Sequence, residues 1–410
     1  NESENYIEVP GTEQRIKCKA QPLTAFVYTP GGRKRMGELK LGDEVLTPFG
    51  TVTEITGVYP QGKQDIYEVT FGDGCKTECT LDHLWEVQRF KDSRVNRNRF
   101  MVVSTDDILN HPKVNNRNSS LSCRPRVRLT EAVSFTPKCV PLSPYLVGAL
   151  IGDAKLERNG SPVFSTADDF ILQRVVSLLP DNVRAKHVPG TYDYRLAPEG
   201  KPRRGMSPLR EGLRCLDLLG KRSHEKFIPD LYKYNSPEAR LALLQGLFDT
   251  DGTVALNDQI RFSTTSHQLA CDVAELIQSL GGLCTTNKRQ GRYRLNGEYH
   301  EARIYYEQAI FYADSASLFS LPRKKIRCRT RTLRNAHTNR SIRTIKYVRR
   351  DEAQCIKVAD ERQLYLTDYF IVTHNTIQAL AAIQALDASR CVIVCPATLK
   401  GNWYREIRKW

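Results

Sequence analysis

Two stretches of this chain carry the same pattern. "YLVGALIGDAKLERNGSPVFSTADDFILQRVVSLLP" (145–180) and "LLQGLFDTDGTVALNDQIRFSTTSHQLACDVAELIQSL" (243–280) each open with an apolar helical run ending on an acid, Asp153 or Asp251. At the same distance downstream each reads Phe-Ser-Thr, from Phe164 and from Phe262, and a second helix then begins. Helix, acid, spacing and tripeptide coincide, so these are two copies of one supersecondary unit. They predict a pseudo-two-fold α/β domain in the middle of the chain.

The ends read differently. Residues 20–87 hold short β-branched runs broken by Gly-Asp and Pro-Phe-Gly turns, and β character returns in "CIKVADERQLYLTDYFIV". The β-rich ends therefore bracket a central α/β insertion. Residues 88–135 read as irregular and basic ("RFKDSRVNRNRF", "CRPRVRL"), apart from a helical patch at "STDDILNH". The second repeat continues through a hairpin, "RYRLNGEYHEARIYY", with Asn296-Gly297 at its turn and Arg292 and Arg294 on one face. From Arg323 to Arg350 there is no acidic residue; this stretch reads as either a solvated connector or a DNA contact.

Charge points the same way. With 61 Lys and Arg against 46 Asp and Glu, the formal net charge is +15, which suits a polyanion, most often nucleic acid. The 12 cysteines include no CxxC pair, and the CxxxC spacings Cys75/Cys79 and Cys391/Cys395 fall in strand-like runs better read as core than as zinc sites. The polar "NESENYIEVPG" is unlike a signal peptide, and no apolar run reaches membrane-spanning length. The expectation is a reduced, cytoplasmic, soluble monomer.

One junction is chemically distinctive. At "YFIVTHNTIQALAAIQAL" a strand runs into an amphipathic helix through a bare His374-Asn375-Thr376. An Asn amide can attack its own main-chain carbonyl, closing a succinimide and releasing the next residue. A preceding His can supply general acid assistance, and a freed Thr hydroxyl can carry an acyl group. Taken alone, the tripeptide is an ordinary turn or helix cap.

The wider pattern changes that reading. "AQPLTAFVYTPGGRKRMGELKLGDEVLTPFG", "TLDHLW" and "CIKVADERQLYLTDYFIVTHNT" resemble, in order, the start, the TxxH block and the end of an intein, from Ala20 to Asn375. Strand and helix at the junction then belong to two different proteins. Most inteins begin with Cys or Ser, whereas Ala20 has no nucleophile. Ala20 is either a substitution trapping an ordinary class 1 intein, or it marks a class 3 intein. Class 3 members carry a Trp after the TxxH histidine, a Cys in the C-terminal strand block and a Thr after the Asn; here these are Trp85, Cys355 and Thr376. The resemblance implies that Cys355 attacks the Lys19 carbonyl and displaces the Ala20 amine, with His83 and Thr80 polarising that peptide. Thr376 would then take the acyl group, Asn375 would cyclise with help from His374, and Lys19 would become joined to Thr376. No cofactor is implied for splicing. Asp368 stands where many inteins have a further His, either as an assistant to the C-terminal step or as a turn cap.

The repeated motifs "LVGALIGDA" and "LQGLFDTDG" resemble the paired motifs of LAGLIDADG homing endonucleases. Gly148, Ala149 and Gly246 would let the two helices pack closely. Asp153 and Asp251 match the metal-binding acids, hard oxygen ligands suited to Mg²⁺, with Lys226 as an assisting lysine. Ala154 replaces the usual Gly, and the further ligands of an EF-hand are missing after "DTDG". Double-stranded DNA is the implied partner, met by Arg261, Arg292, Arg294, Arg303 and the 88–135 segment. A decayed endonuclease that keeps only the fold is the alternative.

Beyond Asn375, "TIQALAAIQALDASRCVIVCPATLKGNWYREIRKW" resembles part of an SNF2-type helicase-like ATPase, with Thr376 as its phosphate-loop hydroxyl. Upstream, "GTEQRIKCK" has Cys18 where the loop glycine belongs, which argues against a nucleotide-driven fragment. The expected architecture is a β-rich Hint (horseshoe-like) splicing domain carrying an inserted α/β LAGLIDADG pseudo-two-fold endonuclease domain. Its expected spans are a flank at 1–19, the splicing domain at 20–140 and 341–375, the endonuclease at 141–340 and the second flank at 376–410. The competing class is a DNA endonuclease with inactive splicing flanks.

Overall fold

The structure is a computed structural model that describes residues 6–8, 15–17, 19–88, 100–116, 124–200, 206–255, 259–295, 297–328 and 339–374. It divides into two compact units, residues 1–130 with 338–410, and residues 131–337.

The first unit is β-rich. Its main feature is the antiparallel pairing of Val52–Phe71 with Asn339–Val358, which joins the two ends of the sequence into one body. Register shifts interrupt this ladder at Ile342/Thr344, Tyr347/Arg349, Glu352/Gln354 and Lys357/Val358. Such bulges increase local twist, so strands of this length curve instead of lying flat. The alternating pattern of Val52–Phe71 turns Thr53, Ile55, Ile66 and Val69 inward. Ile55 packs there with Val27, Met36, Val45, Ile356, Val358 and Tyr365. Gly74, at φ +92, makes the turn into Lys76–Cys79, and the Asp73 carboxylate accepts the Cys75 N–H at 3.1 Å.

The basic 88–135 stretch is less irregular than its composition suggests. Met101–Ser104 and Arg126–Arg128 are strands, both paired with Leu84–Gln88, and Ser104 caps the short helix Thr105–Leu109. Arg124 and Arg126 are buried, and Arg128 is ion-paired to Glu86 at 2.5 Å. Arg124 and Arg126 are thus held within the β unit, and Arg128 is partly exposed. Residues 89–99 lie outside the described residues.

The second unit repeats in three dimensions what the sequence repeats in one. Helices Pro144–Asp153 and Pro237–Asp251 each follow a serine, with proline at the first helical position. After each helix comes a four-stranded antiparallel sheet of the same order. One is Ala154–Lys155, Val163–Ser165, Asp193–Pro198, Val183–His187; the other is Thr253–Val254, Ile260–Thr264, Glu298–Phe311, Leu283–Leu295. The companion helices are Asp169–Ser177 and His267–Ser279. Leu146, Leu150 and Phe164 share one core with Leu244, Leu247 and Phe262.

Glycine decides how closely the two long helices approach. A Cβ on Gly148 would stand 2.0 Å from the Leu243 carbonyl oxygen, and one on Gly246 would stand 2.0 Å from that of Tyr145. Backbone thus rests on backbone, and the helix ends carrying Asp153 and Asp251 are brought together.

Candidate functional site

In the α/β unit the acid pair sits where the two helices end. Burial raises the pKa of Asp153, and burial together with the Asp153 charge pushes Asp251 up to about 6. A Cβ at Gly152 would lie 3.5 Å from Asp251 Oδ2. The "DTDG" acids have separate jobs: Asp249 is buried, accepting from the Ser320 and Leu321 N–H groups at 3.0 Å and from Tyr145 Oη at 2.8 Å.

Lys226 lies beside the acids, with its protons directed elsewhere. Its Nζ donates to the carbonyls of Ile151 (2.6 Å), Gly152 (3.0 Å) and Ala154 (2.9 Å), closing the C-terminus of the first helix. The sequence reading missed its counterpart. Lys324 donates to Phe248 (2.8 Å), Asp249 (2.7 Å) and Gly252 (2.6 Å) at the end of the second helix. The interval from Lys226 to Lys324 equals that from Asp153 to Asp251, which was the available signal. Burial lowers both lysines, Lys324 to about 8.

Among the described residues no group of three or more His, Cys, Asp or Glu could hold a metal. Two carboxylates whose charges oppose each other are nevertheless a donor set that fits Mg²⁺, an ion that keeps several waters and uses one or two carboxylates with substrate phosphates. The residues present fit that ion better than zinc.

The predicted DNA-contact arginines share one face of the second sheet. Arg261 pairs with Ala309, Arg292 with Glu301 and Arg294 with Tyr299, and Arg303 falls in the same alternation, opposite the face of Phe262 and Ile310. All four are exposed. Arg261 is shared with Glu307 at 3.3 Å, and Arg303 contacts His224 at 2.6 Å. The first sheet offers a matching exposed set that the sequence reading did not single out: Lys155, Arg184, Lys186 and Arg195. Gly297 takes φ +88 in the hairpin turn, while Asn296 lies outside the described residues.

In the β unit the geometry gathers around Ala20. Gln21 pairs with Gln354, so the register places Cys355 across from Ala20. Ala20, Cys355, Ile66 and Ala353 form one buried cluster. The Thr80 hydroxyl accepts the Ala20 N–H at 3.2 Å and lies 3.3 Å from the Ala20 carbonyl oxygen. His83 Nδ1 lies 3.4 Å from the Lys19 carbonyl oxygen, and its Nε2 meets the Thr373 hydroxyl. His374 pairs with Leu84, one residue from His83. Burial is the main cause that lowers His83 to about 4 and His374 to about 3, so both imidazoles are neutral at pH 7.

Trp85 packs edge-on to the His83 ring at 5.2 Å and donates its indole N–H to Thr105 Oγ1 at 2.9 Å. Thr105 in turn donates its hydroxyl (3.1 Å) and its backbone N–H (2.8 Å) to the His83 carbonyl. Trp85 therefore bears on His83 both directly and through Thr105, which sequence alone gave no reason to select. Asp368 Oδ1 accepts the Phe26 N–H at 3.0 Å, and its Oδ2 accepts the Thr77 hydroxyl at 2.8 Å. Both oxygens hold the turn into the last strand, Ile371–His374. Asn375 and Thr376 lie outside the described residues.

Comparison with known proteins gives partial matches. A family description reading "LAGLIDADG-like domain" matches residues 238–316, the second repeat. A replicative DNA helicase DnaB of Mycobacterium intracellulare is 29% identical, covering 88% of this chain and 59% of its own length. A replicative DNA helicase DnaB of Rhodothermus marinus is 35% identical over 18% of this chain and 9% of its own length. This chain thus spans about three fifths of the first relative and a small part of the second. Among solved structures, the MchDnaB-1 intein (N145AA) gives a TM-score of 0.28 at 9% identity, covering 87% of this chain and all of that one. The gp41-1 intein gives 0.16 at 33% identity, covering 17% of this chain and 54% of that one. At these TM-scores the superpositions carry no structural argument.

Proposed function

We propose that the β unit splices itself out between Lys19 and Thr376, and that the α/β unit cleaves double-stranded DNA at a specific site. The observation that carries the first claim is the register that sets Cys355 opposite Ala20, with His83 against the Lys19 carbonyl.

In this reading the Cys355 sulfur bonds to the Lys19 carbonyl carbon. The Lys19–Ala20 C–N bond breaks, and the proton lost by the Cys355 thiol ends on the departing Ala20 amine, passed through the His83 side of the site. Thr80 holds the Ala20 peptide in place, and Nδ1–H of His83 polarises the carbonyl under attack. The Thr376 hydroxyl then displaces the thiol of Cys355. Asn375 cyclises through its side-chain nitrogen, with the neutral His374 ring donating a hydrogen bond, and the freed Thr376 amine takes the acyl group to complete a Lys19–Thr376 peptide. Trp85, Cys355 and Thr376 together support the class 3 assignment over a class 1 intein trapped by Ala20. The host remains read from sequence motifs as an SNF2-type ATPase, a nucleotide-driven class of helicase-like protein.

For the second activity, Asp153 and Asp251 would hold Mg²⁺, which supplies charge neutralisation at a phosphodiester when bound. The basic faces of the two sheets would meet phosphates. Lys226 positions the Asp153 end of its helix. An Asn375→Ala chain tests the splicing arm: it should accumulate a branched species that hydroxylamine cleaves at Lys19. Absence of that species at every temperature and pH tried would favour the reading in which the chain is a DNA endonuclease with inactive splicing flanks.

A further inference from the structure

The two nitrogens of one imidazole touch the two ends of the proposed reaction. His83 Nδ1 faces the Lys19 carbonyl at the first junction, and Nε2 faces the hydroxyl of Thr373, two residues before Asn375 at the second. A carbonyl oxygen can only accept, so the 3.4 Å contact, long for a hydrogen bond, requires the proton on Nδ1. The ring is buried and neutral and therefore has a single N–H. Nε2 must then accept, and Thr373 must donate.

We propose that Thr373 is a positioning residue that sets the tautomer of His83, so that the first junction becomes reactive only when the C-terminal strand is seated. The inference rests on the splicing reading. The Lys19 contact, at 3.4 Å, biases the tautomer only weakly, while Trp85 against the ring and Thr105 on the His83 carbonyl hold the ring in place. Thr373 itself is fixed by the strand pairing Tyr365↔Thr373, and it is a buried polar residue next to the apolar Ile371 and Val372. A valine would fill the same space and pack equally well in a strand, yet could not donate. Without the hydroxyl, the neutral ring is free to carry its proton on Nε2, which leaves the Lys19 carbonyl opposite a lone pair.

The test uses the full chain with Asn375→Ala, alone and combined with Thr373→Val or Thr373→Ser. Nitrogen NMR of histidine-labelled protein reads the His83 tautomer, and thiol-induced cleavage at Lys19 reads the first junction. The expected result is an Nδ1–H ring in the parent and the serine variant. The valine variant should show the Nε2–H ring and cleave on the order of a hundred-fold more slowly or worse, as wrong-tautomer histidines do. An Nε2–H ring in the parent overturns the inference without any substitution at Thr373, so a misfolded valine variant cannot shelter it. A valine variant that cleaves within two-fold of an active parent also overturns it, and leaves the splicing reading intact. A parent that neither branches nor cleaves overturns the splicing reading and the gating role with it.

Discussion

Lys324 does at the end of the second repeat helix what Lys226 does at the end of the first: each ammonium donates to three closely held main-chain carbonyls beside its repeat's acid. An ammonium has three protons, so neither lysine has one left to deliver while this arrangement lasts. Lys324→Met should therefore destabilise the α/β unit by roughly 2–4 kcal/mol, because buried carbonyls lose their donors. It should also move the Asp251 titration further up, since a compensating positive charge is removed. Melting curves and carboxyl NMR titration measure both. An unchanged melting temperature would show that the carbonyls find other partners.

The acid pair makes the α/β unit sensitive to rising pH. Asp251 binds its proton more tightly when folded, so its contribution is present at low pH and is lost as pH rises from about 4 through about 6. Asp251→Asn should then stabilise this unit at pH 8, by less than the full shift would imply because the side chain is solvent-exposed, and leave it little changed at pH 4. DNA cleavage should fall at least about a hundred-fold, with DNA binding kept. Stability profiles of the two proteins across that range decide it.

The histidines of the β unit behave in the opposite sense. His83 and His374 are held neutral by burial, so their stabilising contribution is present above pH 6.5 and is lost as pH falls towards about 4 and about 3. Asp368, raised by burial, opposes this trend at the acid end. A His83→Gln variant should remove the part of the acid destabilisation that begins near pH 6.5. The ratio of the first-junction rates of the parent and a His83→Gln chain, in which the ionisation of Cys355 cancels, should hold down to about pH 5, well below an ordinary histidine's midpoint. A ratio breaking at about pH 6.5 would show instead an exposed, ordinary His83.

Close helix packing in the α/β unit has a direct test. Gly148→Ala and Gly246→Ala each place a carbon 2.0 Å from a carbonyl oxygen of the opposite helix, an atom that cannot rotate away. Either change should cost about 3 kcal/mol or more and part the acids. Thermal melts show the first effect, and loss of the Asp251 titration shift shows the second. A Gly160→Ala control, at φ +121 on the exposed surface, should cost about 1 kcal/mol and leave that shift alone.

The sheet arginines should differ in their effect on DNA affinity. Arg292 is exposed near the hairpin tip, whereas Arg261 shares Glu307 with Arg289. Arg292→Ala should weaken binding and reduce the slope of log affinity against log salt by about one. Arg261→Ala should do less, because Glu307 already offsets part of the Arg261 charge and keeps Arg289 as a partner in the variant. Fluorescence anisotropy at several salt concentrations distinguishes them.

Much of this was legible in the sequence for a physical reason: helix and strand periodicities repeat, and a repeated motif marks what its acids share. Asp153, Asp251, Gly148 and Gly246 were legible in that way. Ala20 and Cys355 were joined by resemblance alone, because nothing in the local sequence sets a register between strands so distant in the chain. Thr105 and Thr373 gave no signal. A threonine in a strand usually fills space, and only the completed fold shows which hydroxyls meet a histidine. Composition records charge and not direction: in "CRPRVRL" Arg124 and Arg126 are buried, which their sequence does not show.

The most direct measurement is the intact mass of the expressed chain, taken beside Cys355→Ala and Asn375→Ala. The account predicts a free 20–375 species and a peptide joining Lys19 to Thr376, both absent from the Cys355→Ala sample. An uncut parent that splices only after Ala20→Cys would contradict it, leaving Cys355 a buried core residue and the chain a disabled ordinary intein.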